Sequence, residues 1–347
     1  MKRYLLFVSK LYGYSIVRPV QEAIRARGDE VAWFVHGVSD QHLRADERQL
    51  KTVAEVMDYQ PHAVFVASNW VPDFFPGAKV QLFHGFNAEK RDEQVGHFRI
   101  RGWFDLYCTQ GPSTTARFQQ LAEQHGHFRA IETGWPKVDP LFWQDHQPGL
   151  REQLGIHKPI VLYTSTFSHR LSAAPRLHDT IARLAEAGHW HWLVNLHPKM
   201  DPAIVESYRA LEGPNLTFID TDNIIPLLKA ADVMVSDTSS VVFEFMLQDR
   251  PVVTCRHRNP GPHLVDIQQA DQLEAAIEQA LTHPADLMSE IRKYADWLHP
   301  YRDGKSSERV LDATEAFLAN DYRRLRRKPL NLGRRLGTRR KLGYWWW

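Results

Sequence analysis

The sequence predicts an α/β protein of two Rossmann-like domains, each a doubly wound parallel sheet, facing each other across a cleft. Three observations predict it. The chain has 347 residues, more than one hydrophobic core usually organises. Short apolar runs of strand length alternate with amphipathic stretches along most of it, the rhythm of βαβ units. Near the middle, Trp143–His157 is rich in Gln, Gly and Pro and lacks apolar periodicity, which marks a linker.

Taken in order, Tyr4–Val8 reads as the first buried strand, followed by a helix over Val20–Arg27 and a strand over Glu30–Val35. The apolar run at the start is too short for a secretory leader. After a further helical stretch, strands are expected at Ala63–Ala67, Val80–Phe83, Leu106–Thr109 and Ala130–Glu132. Beyond the linker a second series begins, with strands at Pro159–Tyr163, Trp190–Leu196, Leu216–Ile219, Val233–Ser236 and Pro251–Thr254. Helices separate them, among them Ala174–Ala187 and Ile224–Ala230. The domain boundaries are then 1–145, 146–322 and a tail, 323–347, with the last helices able to pack back on the first domain.

Composition narrows the class. Hydrophobic residues make up 43% and charged residues 24% of the chain, the balance of an ordinary globular protein. The two cysteines, Cys108 and Cys255, are far apart and match neither a disulfide framework nor metal-ligand spacing, which fits a reducing, cytoplasmic compartment. No stretch approaches the roughly 18 to 20 apolar residues that span a bilayer, so any membrane contact is peripheral. The formal charge of +2 hides an asymmetry: residues 321–347 hold ten Lys/Arg against one acid, while the rest holds 33 basic against 40 acidic residues.

Ligands bind open α/β sheets beyond the carboxyl ends of the strands, and several such ends are chemically unusual. His84-Gly85 follows one predicted strand, with Lys90 shortly after. Histidine there could take a proton from an alcohol near neutral pH, or serve only the structure. His197-Pro198-Lys199 repeats the pattern in the second domain. Ser236-Asp237-Thr238-Ser239-Ser240 joins a strand to a helix, offering hydroxyls and free N–H groups to a phosphate, or a simple helix cap. Asp303-Gly304-Lys305-Ser306 again joins a turn to a helix start, where a structural turn is the plainer reading.

In this order, together with Gly134-Trp135-Pro136-Lys137-Val138-Asp139 and Tyr163-Thr164-Ser165-Thr166-Phe167, these segments resemble the CDP-glycerol glycerophosphotransferase family, whose members prime and polymerise teichoic acids. The resemblance spans about residues 80 to 312. It implies a glycosyltransferase-B-type fold with acceptor contacts mainly in the first domain and the donor nucleotide mainly in the second. It implies transfer of a polyol phosphate from CDP-glycerol or a related CDP-polyol to a hydroxyl of a lipid-linked saccharide or glycan, in cell-surface polymer synthesis. By the same resemblance His84 would be the general base and His197 a phosphate ligand. Thr166, Ser236, Asp237, Ser239, Ser240, Glu244, Asp303, Gly304 and Ser306 would hold the donor. Gly85, Lys90, Gly134, Pro136 and Asp139 would line the acceptor side. No tightly bound cofactor or metal is implied. Glu244 stands where the family more often has aspartate, and Trp135 where it often has tyrosine.

The tail adds a partner. Arg323, Arg324, Arg326, Arg327 and Lys328 would be drawn to anionic lipid, and Trp345, Trp346 and Trp347 would settle at headgroup level. That places the protein at the inner face of a membrane; nucleic acid is not an implied partner, and no oligomeric state is assigned. A nucleotide-sugar transferase or sugar-nucleotide epimerase of the same fold is the alternative function, and a non-catalytic nucleotide- or lipid-binding protein a third.

Overall fold

The computed structural model describes residues 1–86, 96–144 and 147–345; Lys90, Trp346 and Trp347 lie outside the described residues. The chain forms two compact units, Met1–Phe142 with Leu298–Trp347, and Trp143–Trp297.

The first unit is built on six parallel strands, β1 (Arg3–Val8), β2 (Glu30–Val35), β3 (Ala63–Val66), β4 (Ala78–Gln81), β5 (Leu106–Thr109) and β6 (Arg129–Glu132), in the order β2-β1-β3-β4-β5-β6. Covered on both faces, its central strands read as continuous apolar runs rather than alternating ones; Leu5, Leu6 and Phe7 are all buried. The helix after β1 runs over Gly13–Ala26 and contains Pro19, so it starts earlier than the sequence predicts. Proline removes one main-chain bond, but Ile16, Val17, Val20 and Ile24 bury one continuous face across it, and that burial prevails.

The second unit has β7 (Ile160–Ser165), β8 (His191–Leu196), β9 (Leu216–Phe218), β10 (Val233–Ser236), β11 (Val252–Cys255) and β12 (Val265–Ile267), all parallel, in the order β12-β11-β10-β7-β8-β9. This is the strand order of dinucleotide-binding sheets. The sequence reading missed β12, which is three residues long with Asp266 at its centre. Tyr163 and Tyr208 stack at 5.3 Å in the core, and Tyr208 Oη donates to Ala174 O at 2.8 Å.

The last helices pack back on the first unit. From Leu298 the chain belongs to the first unit, so Asp303, Gly304 and Ser306 do not lie in the second domain. The helix Ser306–Asn320 is held there by Arg27 to Asp312 at 2.7 Å and Lys2 to Glu315 at 2.5 Å, while Val310, Leu311 and Phe317 bury its apolar face. These contacts join residues about 300 positions apart, which no local pattern reveals.

Candidate functional site

In the second unit the strand order reverses between β7 and β10, the place where such sheets bind ligands. Ser236, at the end of β10, shares a 3.0 Å hydrogen bond with Thr164 Oγ1. Asp237 accepts from Ser165 Oγ at 2.5 Å, Thr166 N at 3.0 Å and Ala173 N at 3.0 Å. Both are fully buried. Ser236 thus ties the ends of β10 and β7 together, and Asp237 holds the loop after β7 against the start of the loop after β10.

What these loops present is Thr166, Ser239 and Ser240, all half-buried. Ser240 precedes the helix Val241–Met246 with its backbone already helical and makes no side-chain cap bond, which removes the plain cap reading for that hydroxyl. The helix is six residues long, so its dipole is small and any phosphate contact rests on hydroxyls and N–H groups. Glu244 is buried within it.

His197 lies just past β8, exposed, with Phe167 beside it at 4.5 Å between rings and Lys199 Nζ 5.7 Å from the Phe167 ring. Its Nδ1 accepts from Lys199 N at 3.0 Å. That bond fixes the tautomer, placing the proton of the neutral ring on Nε2, where it can be donated to a phosphate oxygen. Phe167 and Lys199 stand in the segments quoted from the sequence but receive no role there; adjacency to Thr166 and His197 was the available signal.

In the first unit the strand order reverses between β1 and β3, and there Ser9 Oγ donates to Ser68 Oγ at 2.9 Å. His84 follows β4, half-buried, with its ring 5.2 Å from Tyr12 in a stacked pose and 5.1 Å from His97. Phe83, between strand and histidine, has φ +60°, uncommon for a bulky residue. Its ring packs on Phe118 at 5.0 Å and Tyr107 at 6.0 Å, and that packing holds the turn which sets His84 off the strand. A Cβ at Gly85 would meet nothing within 4 Å among the described residues, so packing alone does not require glycine there; close approach of a ligand would. Tyr12, His97, Ser9 and Ser68 were missed from the sequence because none stands out outside its strand-end context.

The remaining predicted residues make contacts within the first unit. Asp139, buried, accepts from Ser306 N at 2.8 Å, Ser307 N at 2.7 Å and Ser307 Oγ at 2.6 Å. The positive end of the helix Ser306–Asn320 thus holds a protein carboxylate. Burial pushes the Asp139 carboxyl above its usual range, against the pull of those hydrogen bonds. Gly134, at φ +81°, would drive a Cβ to 2.5 Å from Ser306 Oγ and 2.9 Å from His299 Nε2. Pro136 starts a buried turn, Pro136–Val138. Asp303 pairs with Arg309 and accepts from Lys305 N at 3.1 Å, and Gly304 completes that turn at φ +68°. His299 Nε2 accepts from Trp135 N at 2.9 Å, and burial lowers its pKa to about 4.

Among the described residues no three or more His, Cys, Asp or Glu gather as a metal-ligand set. A surface hollow of about 610 Å³ lies at Arg3, Glu30 and Arg48, at the amino ends of β1 and β2 and so opposite the ligand-binding ends of that sheet.

Residues 80–315, more than half of the chain, match the family model of CDP-glycerol:poly(glycerophosphate) glycerophosphotransferase. The chain belongs to this family. Teichoic acid glycerol-phosphate primase of Bacillus subtilis (strain 168) is 22% identical over 254 residues, covering 67% of this chain and 63% of that protein. Teichoic acid ribitol-phosphate primase of Bacillus spizizenii is 25% identical over 246 residues, covering 62% of this chain and 60% of that protein. The chain spans about three fifths of the length of these curated relatives. A solved structure of wall teichoic acid polymerase TagF, soaked with CDPG, matches with a TM-score of 0.67 and 14% identity, over 92% of this chain and 89% of that one. The fold is therefore of the glycosyltransferase-B type, as the family resemblance implies.

Proposed function

We propose that this member of the glycerophosphotransferase family transfers a polyol phosphate from a CDP-polyol to a hydroxyl of a lipid-linked saccharide or glycan and releases CMP. The family match across residues 80–315, which includes both strand-end histidines and the Ser239–Ser240 loop, carries the reading. CDP-glycerol is the first donor to try, and CDP-ribitol the second because a ribitol-phosphate primase matches as well.

In this reaction the acceptor hydroxyl loses its proton to His84 and its oxygen attacks the β-phosphorus of the donor. The bond from that phosphorus to the bridging oxygen breaks, and CMP leaves with the electron pair. Tyr12 and His97 flank the His84 ring and restrict its orientation, which is how positioned groups lower a barrier. His197 Nε2–H, Lys199 and the hydroxyls of Thr166, Ser239 and Ser240 meet the negative charge that grows on the pyrophosphate. Asp237 acts one step back by holding Thr166 N, and Ser236 by joining β10 to β7 through Thr164. The protein works at the inner face of a membrane, where a lipid-linked acceptor is presented.

The test supplies CDP-glycerol, CDP-ribitol and a UDP-sugar in turn with a lipid-linked disaccharide and follows nucleotide release by chromatography. CMP from a CDP-polyol supports the proposal. UDP released from the UDP-sugar, with no CMP from either other donor, overturns it in favour of sugar chemistry on the same fold.

A further inference from the structure

The basic tail is folded onto the first unit. Lys328 Nζ sits 2.7 Å from Asp105 and donates to Trp103 O at 2.7 Å; it is half-buried and turned inward, which corrects its assignment as a lipid contact. Asn331 Nδ2 and Arg334 Nη1 both donate to Arg101 O at 3.0 Å. On the helix Leu332–Leu342, Arg335 reaches Asp73 at 3.5 Å, Thr338 and Arg339 are buried, and Leu342 packs on the core of the unit. Tyr344 stacks on Phe74 at 4.7 Å. Residues 335, 338, 339 and 342 follow helical spacing, so one face of this helix is spoken for.

Along one flank of that buried face, and at both ends of the helix, the surface is unlike an ordinary one. Leu330, Leu332 and Trp345 are 69%, 59% and 53% exposed, and Leu336 is exposed on the same side as Leu332, one helical turn on. Beside them Arg323, Arg324, Arg326, Arg327, Arg340 and Lys341 are exposed. Scattered exposed leucines are common, but four large apolar residues within sixteen positions of a segment carrying ten cations and one acid are not. Among the described residues no helix is long and apolar enough to cross a bilayer.

Resting on the membrane reading above, we propose that residues 323–345 form a preformed docking face for anionic lipid bilayers. Leu330, Leu332, Leu336 and Trp345 enter the interfacial layer while the exposed arginines meet phosphate headgroups, the division of labour of interfacial helices. The charge complementarity selects an anionic surface, and the exposed leucines select lipid over nucleic acid. The face is clamped to the loop after β3: Lys341 Nζ lies 5.4 Å from the Trp70 ring, and Ser68 Oγ, at the strand switch of the first unit, donates to Trp70 O at 3.1 Å. Docking therefore fixes the acceptor-binding unit itself at the surface.

The experiment floats the full chain and its Leu332→Asp/Leu336→Asp variant with vesicles of phosphatidylcholine alone and of phosphatidylcholine with phosphatidylglycerol, at low and high salt. Circular dichroism and donor turnover on a water-soluble acceptor check that the variant is intact. The expected result is flotation of the natural chain with anionic vesicles only, weakened by salt, and a loss of about tenfold or more in the variant. If the natural chain floats and the variant floats equally, the face is refuted while membrane association stands through other residues. If the natural chain floats with neither vesicle, both fall; saturable binding of single-stranded RNA in that case assigns the segment to nucleic acid.

Discussion

Replacing Asp139 by alanine tests the role the structure gives it. The carboxylate is buried and accepts three hydrogen bonds of 2.6 to 2.8 Å, two of them from the first N–H groups of the helix Ser306–Asn320. Truncation removes a cap, at about 0.5–2 kcal/mol, and leaves buried donors unpaired at about 1–3 kcal/mol each. Relief of the burial that raises the carboxyl pKa offsets part of this, and the contributions overlap, so the net loss is about 3 kcal/mol. For a unit of this size about 2–4 °C is lost per kcal/mol, or roughly 6–12 °C. Asp139→Asn keeps the shape and one oxygen acceptor and should lose only about 1 kcal/mol. Urea unfolding and calorimetry on the full chain, natural and substituted, measure both. If Asp139→Ala melts within a degree of the natural chain while donor binding collapses, the residue is a ligand contact and the capping argument is wrong.

Further outcomes follow from the same geometry. His84→Ala should lower CMP release by about 10²- to 10⁴-fold, the usual contribution of a general base, with little change in melting temperature; unchanged turnover would dismiss it. His197→Ala should weaken donor binding as well as turnover, whereas Asp237→Asn, which disturbs the bonds to Ser165, Thr166 and Ala173, should raise the donor KM and destabilise the second unit together. Acid should destabilise the first unit through His299. Its buried ring stays neutral to about pH 4 in the folded chain, while an unfolded histidine takes its proton near 6.5. The unfolded state therefore binds more protons across that window, and stability falls as pH drops from 6.5 toward 4, by about 1.4 kcal/mol per unit and roughly 3 kcal/mol in all. His299→Gln, which keeps an acceptor for Trp135 N, should flatten that slope in pH-dependent thermal melts.

The strands were legible because parallel sheets covered on both faces leave uninterrupted apolar runs, and β1, β2, β5 and β10 appear within a residue or so of where those runs stand. Helix limits were less legible where a local rule met a stronger tertiary one, as at Pro19 in the helix Gly13–Ala26. The functional segments were legible as motifs but not by residue. Ser236 and Ser240 are four apart in one hydroxyl cluster, yet one is fully buried and the other only half-buried, and only the packing of β10 against β7 separates them. The pairing of Asp139 with Ser306 and Ser307 is more distant still, since 167 and 168 positions divide them. Both pairings lie inside residues 80–315, the stretch that matches the family model. The tail was legible in its charge but not in its docking, because the acids that receive it, Asp73 and Asp105, belong to loops far back in the chain.

The central claim is that a polyol phosphate moves from a cytidine donor to an acceptor hydroxyl with His84 as base. The direct test incubates CDP-glycerol labelled in its glycerol with a lipid-linked disaccharide and the natural chain or His84→Ala. Label appearing on the lipid-linked product, one CMP for each glycerol phosphate transferred and lost in the variant, is the result predicted. Label that remains in the nucleotide fraction, or transfer that survives the loss of His84, would contradict it.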